Sequence, residues 1–278
     1  MSDTVPASVR NGDVSLSLER RGSGEQNVLF AHGWISARRM WYEVADRLDP
    51  ARYRLHLLDF RGCGDSDRPA GGHDMEGYAS DLRAALASID GPVTLVGHSM
   101  GGKIAQYVAA ERPANLARLI LVAPGTARAA RVSERHRATA FAAMGSRERI
   151  AAFQRAAMVR ELAPAVAERI LEDALIAQPE HWTGWYDAGR AAAFPERLAA
   201  IDVPTLAIAG DADPVTSVAA LHRDVARRSP ERWSSCSAAA GTTSRSNVPP
   251  RSPRPSKSST GMGPKTEVAE RRLAEGVR

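Results

Sequence analysis

Apolar residues fall along this chain in two rhythms, and the change between them divides it. Up to about residue 125, short aliphatic runs alternate with stretches of helical spacing. Val14–Leu18 (VSLSL) predicts an edge strand, and Val28–Ala31, Tyr53–Asp59, Val93–Val96 and Leu119–Val122 predict buried ones. Helical patterns at about 39–48, 77–89 and 101–112 lie between them. Strand and helix in alternation predict an α/β fold, a doubly wound and mostly parallel sheet covered on both faces. In such sheets reactive loops gather at the carboxyl ends of the strands. His32-Gly33, Arg61–Asp65 and Gly97–Gly101 all occupy such ends.

From 126 to 198 the strands stop. Ala, Arg and Glu dominate, and apolar residues recur at helical spacing, as in Ile150, Phe153 and Ala157 or Ile170, Leu171 and Leu175. This stretch predicts a helical insertion, a packing layer that also serves as a cap over a pocket. Val203–Ala209 then resumes the sheet, ends at Gly210-Asp-Ala-Asp-Pro, and precedes a helix at Val218–Arg228. The expected organisation is therefore a core in two parts, 1–125 and 199–228, a cap at 126–198, and a tail at 229–278. The tail, rich in Ser, Pro and Arg, has no strand or helix period until a helix-like fragment at Thr266–Glu275, and it predicts disorder.

Charge sharpens that division. The tail carries nine Lys or Arg and four Glu, which accounts for the whole net charge of +5. The other residues balance. A basic tail without interleaved aromatics is first a solvated segment, so no nucleic-acid partner is expected. No apolar run reaches 18 residues, and the N-terminus lacks a basic start followed by an apolar core. No membrane partner is expected, and the expected location is the cytoplasm. Two cysteines, Cys63 and Cys236, make neither a disulfide framework nor a metal-ligand cluster.

The chemistry centres on Gly97-His-Ser-Met-Gly, a G-x-S-x-G pattern between a strand and a helix. Such a turn exposes one serine, here Ser99, and glycines at 97 and 101 remove side chains that would collide there. A serine hydroxyl is a weak nucleophile and needs a base. With His32-Gly33-Trp34, Asp59-Phe-Arg-Gly-Cys-Gly-Asp-Ser-Asp and Gly210-Asp-Ala-Asp-Pro, each following a predicted strand, the motif resembles the α/β-hydrolase superfamily over roughly residues 10–228.

The resemblance implies a serine hydrolase of small-esterase type acting on a small-molecule substrate, with no metal and no organic cofactor. Ser99 is the implied nucleophile. The backbone N–H groups of Trp34 and Met100 form the implied oxyanion hole, and the Trp34 side chain lines the substrate pocket. Asp213 is the implied acid that orients the histidine, with Asp211 as alternative. His32 and His98 are expected to support turns, and Arg61–Asp65 to be a structural loop. Serine at 99 separates the chain from epoxide-hydrolase and dehalogenase relatives, which place Asp there. It fits esterases, lactonases, cofactor-free perhydrolases and carbon–carbon bond hydrolases alike.

One family mark is missing. The base should follow Asp213 after one more apolar strand, in a Gly-His pair with Glu-x-Pro beyond. Only His222 follows Asp213, inside a helical pattern; His136 and His181 lie in the insertion. Where the last strand should be stands Trp233-Ser-Ser-Cys-Ser, so the last strand and helix are expected to be missing or disordered. One account covers both absences. If the reading frame slipped before this point, TCN serine codons would yield Val, Leu, Ile or Phe, and the shifted text can read VVLLRGGGHYIPLERP. Two functions therefore stand side by side: a serine hydrolase impaired by loss of its histidine, and a non-catalytic hydrolase-fold binding protein or frameshifted gene product.

Overall fold

Along β3, Val28 and Phe30 pack into one apolar cluster while Leu29 and Ala31 pack into another on the opposite face. A strand buried on both sides reads as a continuous aliphatic run. That alternation builds the molecule. The computed structural model describes residues 4–130, 132–213, 233–238 and 243–245. Within them lie β1 (Thr4–Asn11), β2 (Val14–Arg21), β3 (Gln26–Ala31), β4 (Tyr53–Leu58), β5 (Val93–His98), β6 (Leu116–Val122), β7 (Thr205–Gly210), β8 (Trp233–Ala238) and β9 (Thr243–Arg245). They form one sheet in the order β1-β2-β4-β3-β5-β6-β7-β8-β9. The pairs from β4 through β3, β5, β6 and β7 to β8 are parallel; β1–β2, β2–β4 and β8–β9 are antiparallel.

Helices cover both faces. On one, α2 (Met75–Ala87) and α3 (Met100–Ala109) bury Tyr78, Leu82, Ile104 and Val108 against Leu29, Leu58, Leu95 and Leu119. On the other, a 3-10 turn at Arg38–Trp41 runs into α1 (Tyr42–Ala45), and Trp41 and Ala45 meet Val28, Phe30, Leu57, Val96 and Ile120. Asp74 caps α2 by accepting from the Gly77 N–H at 2.9 Å.

Between β6 and β7 the chain is helical: α4 (Glu134–Ala143), α5 (Arg147–Ala156), α6 (Pro164–Ile176) and α7 (Pro179–Gly184), then a π-turn at Trp185–Gly189 and a 3-10 turn at Pro195–Ala200. Ser133 and Ser146 cap α4 and α5, and prolines open α6 and α7. This insertion has its own apolar cluster of Ala143, Ile150, Leu171, Ala174, Ala177 and Trp182, and Ile35 of the core joins it. No helix among the described residues is long and apolar enough to cross a membrane.

Three expectations change. Val14–Leu18 is not at the edge, because β1 pairs outside it over Thr4–Asn11. The helix expected at 39–48 is a short 3-10 and α pair ending at Ala45. The strand expected to be missing after residue 228 is present as β8, which extends the parallel sheet from Thr205↔Trp233 to Gly210↔Ala238. Backbone pairing along the side of β7 suffices to make a strand without an apolar pattern. The helices expected at Val218–Arg228 and Thr266–Glu275 lie outside the described residues.

Candidate active site

Ser99 occupies the turn from β5 into α3 with φ 48° and ψ −110°. A left-handed backbone at a non-glycine residue costs about 1–3 kcal/mol and persists only where its surroundings over-determine it. Three hydrogen bonds do so. The Ser99 N–H donates to the Val122 carbonyl at 3.1 Å, and its own carbonyl accepts from Lys103 N–H at 3.0 Å and Gly125 N–H at 2.9 Å. Glycines set how closely the elements converge. A Cβ on Gly101 would sit 2.5 Å from the His32 carbonyl oxygen, and one on Gly97 would sit 2.6 Å from that of Gly101.

The loop after β3 lies against this turn. A Cβ on Gly33 would come 2.7 Å from His98 Nδ1 and 3.5 Å from Ser99 Cβ. Trp34 follows at once, and Met100 is the first residue of α3. Among the described residues, the backbone N–H of neither Trp34 nor Met100 donates a hydrogen bond. Two backbone donors without acceptors beside a strained serine suit a ligand that carries negative charge.

The Trp34 ring turns toward the insertion. Its centroid is 5.2 Å from that of Trp182, 5.0 Å from Tyr186 and 6.0 Å from Phe153. Lys103, one turn into α3, makes a second tie. Buried, it donates to the carbonyls of Arg128 at 3.2 Å and Arg190 at 2.9 Å, and burial lowers its pKa to about 8.

Asp213 stands just past β7, with its N–H 3.3 Å from the Gly210 carbonyl. Its charge acts on His98, but burial outweighs it and lowers the His98 pKa to about 4. Asp211 is exposed. The structure thus brings Ser99, His98, Gly33 and Asp213 to the same end of the sheet.

His32 supports its turn. Its Nε2 accepts from Phe60 N–H at 3.0 Å, so Nδ1 carries the proton and donates to the Gly33 carbonyl at 2.8 Å. Arg61–Asp65 is held as a structural loop. Arg61 forms a fork on Asp81 at 2.9 and 2.6 Å, and the Asp65 N–H donates to buried Asp59 at 3.0 Å.

Two of the three histidines that could serve as the base, His181 and His136, have a definite place. His181 has no exposed surface and both ring nitrogens are engaged, one with Ile35 N–H at 3.3 Å and one with Tyr78 Oη at 2.6 Å. It is not available to Ser99. His136 is exposed on α4, with its ring 6.2 Å from that of Tyr186. His222 lies outside the described residues, as do 239–242, where the shifted reading would place a Gly-His pair. Among the described residues, no histidine hydrogen-bonds Ser99. No group of three His, Cys, Asp or Glu there could hold a metal ion. Sequence reasoning passed over Lys103, His73 and Tyr78. None of them stands in a motif, and only burial among polar partners marks them.

The alpha/beta hydrolase fold family model matches residues 26–235. A non-heme chloroperoxidase of Streptomyces lividans is 40% identical over 98 residues, 34% of this chain and 35% of that protein. A pimeloyl-[acyl-carrier protein] methyl ester esterase of Aeromonas salmonicida is 36% identical over 111 residues, 40% of this chain and 42% of that protein. Both alignments span less than half of the relative's length. Among solved structures, an esterase from Exiguobacterium antarcticum superposes with a TM-score of 0.74 at 23% identity, over 86% of this chain and 92% of the other. A bromoperoxidase from Bacillus anthracis gives 0.75 at 19%, over 84% and 91%. At that identity the likeness is one of fold.

Proposed function

The chain belongs to the alpha/beta hydrolase fold family, and on that premise we propose that it is built as a serine hydrolase for small esters or related carbonyl compounds. The observation that carries this reading is the strained backbone of Ser99 between β5 and α3. In the proposed reaction the Ser99 hydroxyl attacks the carbonyl carbon while a base takes its proton. The Met100 and Trp34 N–H groups receive the oxyanion, and the alcohol leaves with a proton. Water then cleaves the acyl-enzyme, so that ester and water become acid and alcohol. Asp213 orients the base, Trp34 lines the pocket under a cap at 126–198, and no cofactor takes part. One oxyanion-hole donor is worth roughly 3 kcal/mol of transition-state stabilisation.

The base is the weak point of the chain as written. The engagement of both His181 nitrogens favours the second reading, a hydrolase-fold protein with little or no turnover. Without one triad member only about 10³–10⁴-fold catalysis over water remains. The position of β8 supports the frameshift version of that reading. It runs from Trp233 to Ala238, across the residues that the shifted frame would turn apolar, and it lies beside β7.

Hydrolysis of p-nitrophenyl acetate by two chains tests both readings. One is this sequence, and the other has its tail restored to the shifted frame. Activity in the restored chain alone, lost on Ser99→Ala, is the expected outcome. Ser99-dependent activity in the chain as written would overturn the impairment. Inactivity of both chains would overturn the hydrolase assignment.

A further inference from the structure

A row of buried polar side chains connects the insertion to the loop after β3. It runs from the Pro69 carbonyl to His73 Nε2 (2.8 Å), from His73 Nδ1 to Tyr78 Oη (3.0 Å), from Tyr78 Oη to His181 Nδ1 (2.6 Å), and from His181 Nε2 to the Ile35 N–H (3.3 Å). Tyr78 and His181 have no exposed surface, and His73 has 6%.

The ends of the row fix every proton in it. A backbone N–H only donates, so His181 Nε2 must accept and Nδ1 must carry the hydrogen. That hydrogen goes to Tyr78 Oη, whose own O–H goes to His73 Nδ1. His73 is then protonated at Nε2, which donates to a carbonyl that only accepts. One direction satisfies all four bonds. Burial keeps His181 well below the ordinary imidazole range, which preserves the neutral form that the row requires.

The far end of the row matters because Ile35 has φ 48°, a left-handed backbone at a β-branched residue. It follows Trp34 directly. The Ile35 side chain is buried in the cluster of the insertion, and the Trp34 ring packs on Trp182, the neighbour of His181. Two consecutive residues of α7 thus hold two consecutive residues of the loop. Close approach makes this possible, since a Cβ on Gly62 would come 3.1 Å from His181 Cβ, and one on Gly184 would come 2.5 Å from His73 Cβ.

We propose that His181 is a positioning residue, which holds the Trp34–Ile35 backbone in the conformation that presents the Trp34 N–H to the site through the directed row His73–Tyr78–His181–Ile35. The catalytic part of this proposal rests on the serine-hydrolase reading above; the positioning does not.

The test compares His181→Leu, which removes the acceptor, with His181→Gln, whose amide oxygen can accept at about the place of Nε2. Site-resolved amide exchange at Ile35 is measured in the full chain. A gain of about fivefold to tenfold in His181→Leu, with β3 amides unchanged and protection restored in His181→Gln, is expected. If Leu at 181 prevents folding, Tyr78→Phe takes its place: it leaves the acceptor but no longer fixes its tautomer, and a smaller gain in exchange at Ile35 is expected. Ile35 exchange that does not change in the folded variant, or that rises equally in the Leu and Gln variants, overturns the proposal. Where Ser99-dependent turnover is measurable, His181→Leu lowers kcat with KM nearly unchanged, and His181→Gln recovers it; a change confined to KM refutes the link to the oxyanion. Absence of turnover both in the chain as written and with its tail restored counts against the hydrolase reading alone, and the exchange result still decides the positioning.

Discussion

Gly101→Ala puts one methyl group where the structure has no room for it. The added Cβ would stand 2.5 Å from the His32 carbonyl oxygen and 2.6 Å from that of Ala31, both at the end of β3. Ordinary contact begins at 3.4 Å, so α3 and β3 must part by roughly 0.9 Å, and both partners are backbone. Overpacking of this kind costs about 1–3 kcal/mol. Alanine regains up to about 1 kcal/mol over glycine in a helix interior, and less in the first turn, where residue 101 lies. The net loss should be about 1–2 kcal/mol, or a fall in Tm of roughly 2–4 °C for a chain of this size. Function should suffer more than stability. The shift moves Ser99 and Met100 away from the Trp34 loop, and a displacement near 1 Å in a catalytic constellation can cost ~100-fold in rate. Gly71→Ala is the control, since nothing lies within 4 Å of its added Cβ. Thermal melts and the rate of fluorophosphonate labelling at Ser99, in the form of the chain that labels, read the two effects. A Gly101→Ala protein that melts and labels like Gly71→Ala would refute the reasoning.

Two further outcomes follow from buried charge. His56 is 3% exposed, and burial with the nearby charges of Arg20 and Arg54 lowers its pKa to about 4, against 6.5 unperturbed. The unfolded chain binds its proton first, so this contribution to stability is full above pH 6.5 and is lost as pH falls toward 4; His56→Gln should reduce that slope by up to about 1.4 kcal/mol per pH unit, measured by urea unfolding at pH 5 and 7. Arg38 pairs with Asp59, which has no exposed surface, and with Glu19, which also pairs with Arg21; Arg38→Met leaves the buried Asp59 carboxylate without its cation and should cost about 3–5 kcal/mol in the same assay, with partial recovery on adding Asp59→Asn.

The parts of this architecture that sequence revealed are those where side chains repeat with the backbone. β3, β5, β6 and β7 are aliphatic because both of their faces are covered, and glycines mark the ends of β3 and β5, where the elements converge. β1 escaped notice because Pro6 interrupts its sequence and Val9 alone is buried within it. β8 escaped because its pairing is backbone to backbone, while its residues, WSSCSA, show no apolar period. The site divides the same way. Ser99, Trp34 and Met100 stand in the motifs that carry the family resemblance. From sequence His181 is one of the candidate bases in the insertion, because nothing local announces a partner 103 residues earlier at Tyr78 or 146 residues earlier at Ile35. Hydrogen bonds between distant segments leave no period to detect.

The insertion leaves the sheet after Val122 and returns at Thr205, and the two strands it separates are neighbours that pair from Leu119↔Thr205 to Val122↔Ile208. An excursion of about 80 residues therefore begins and ends at almost one place. Closure entropy grows slowly with loop length, by only about 0.6 kcal/mol for each doubling. Closure therefore sets little limit on the length of the segment, provided that a replacement refills the core places of Trp185, Phe194 and Leu198, and Ser99 and Asp213 stay where they are. The constraints on such a graft are local: any replacement must supply its own acceptors for the Ile35 N–H and the buried Lys103 amine, and its own surface for the Trp34 ring.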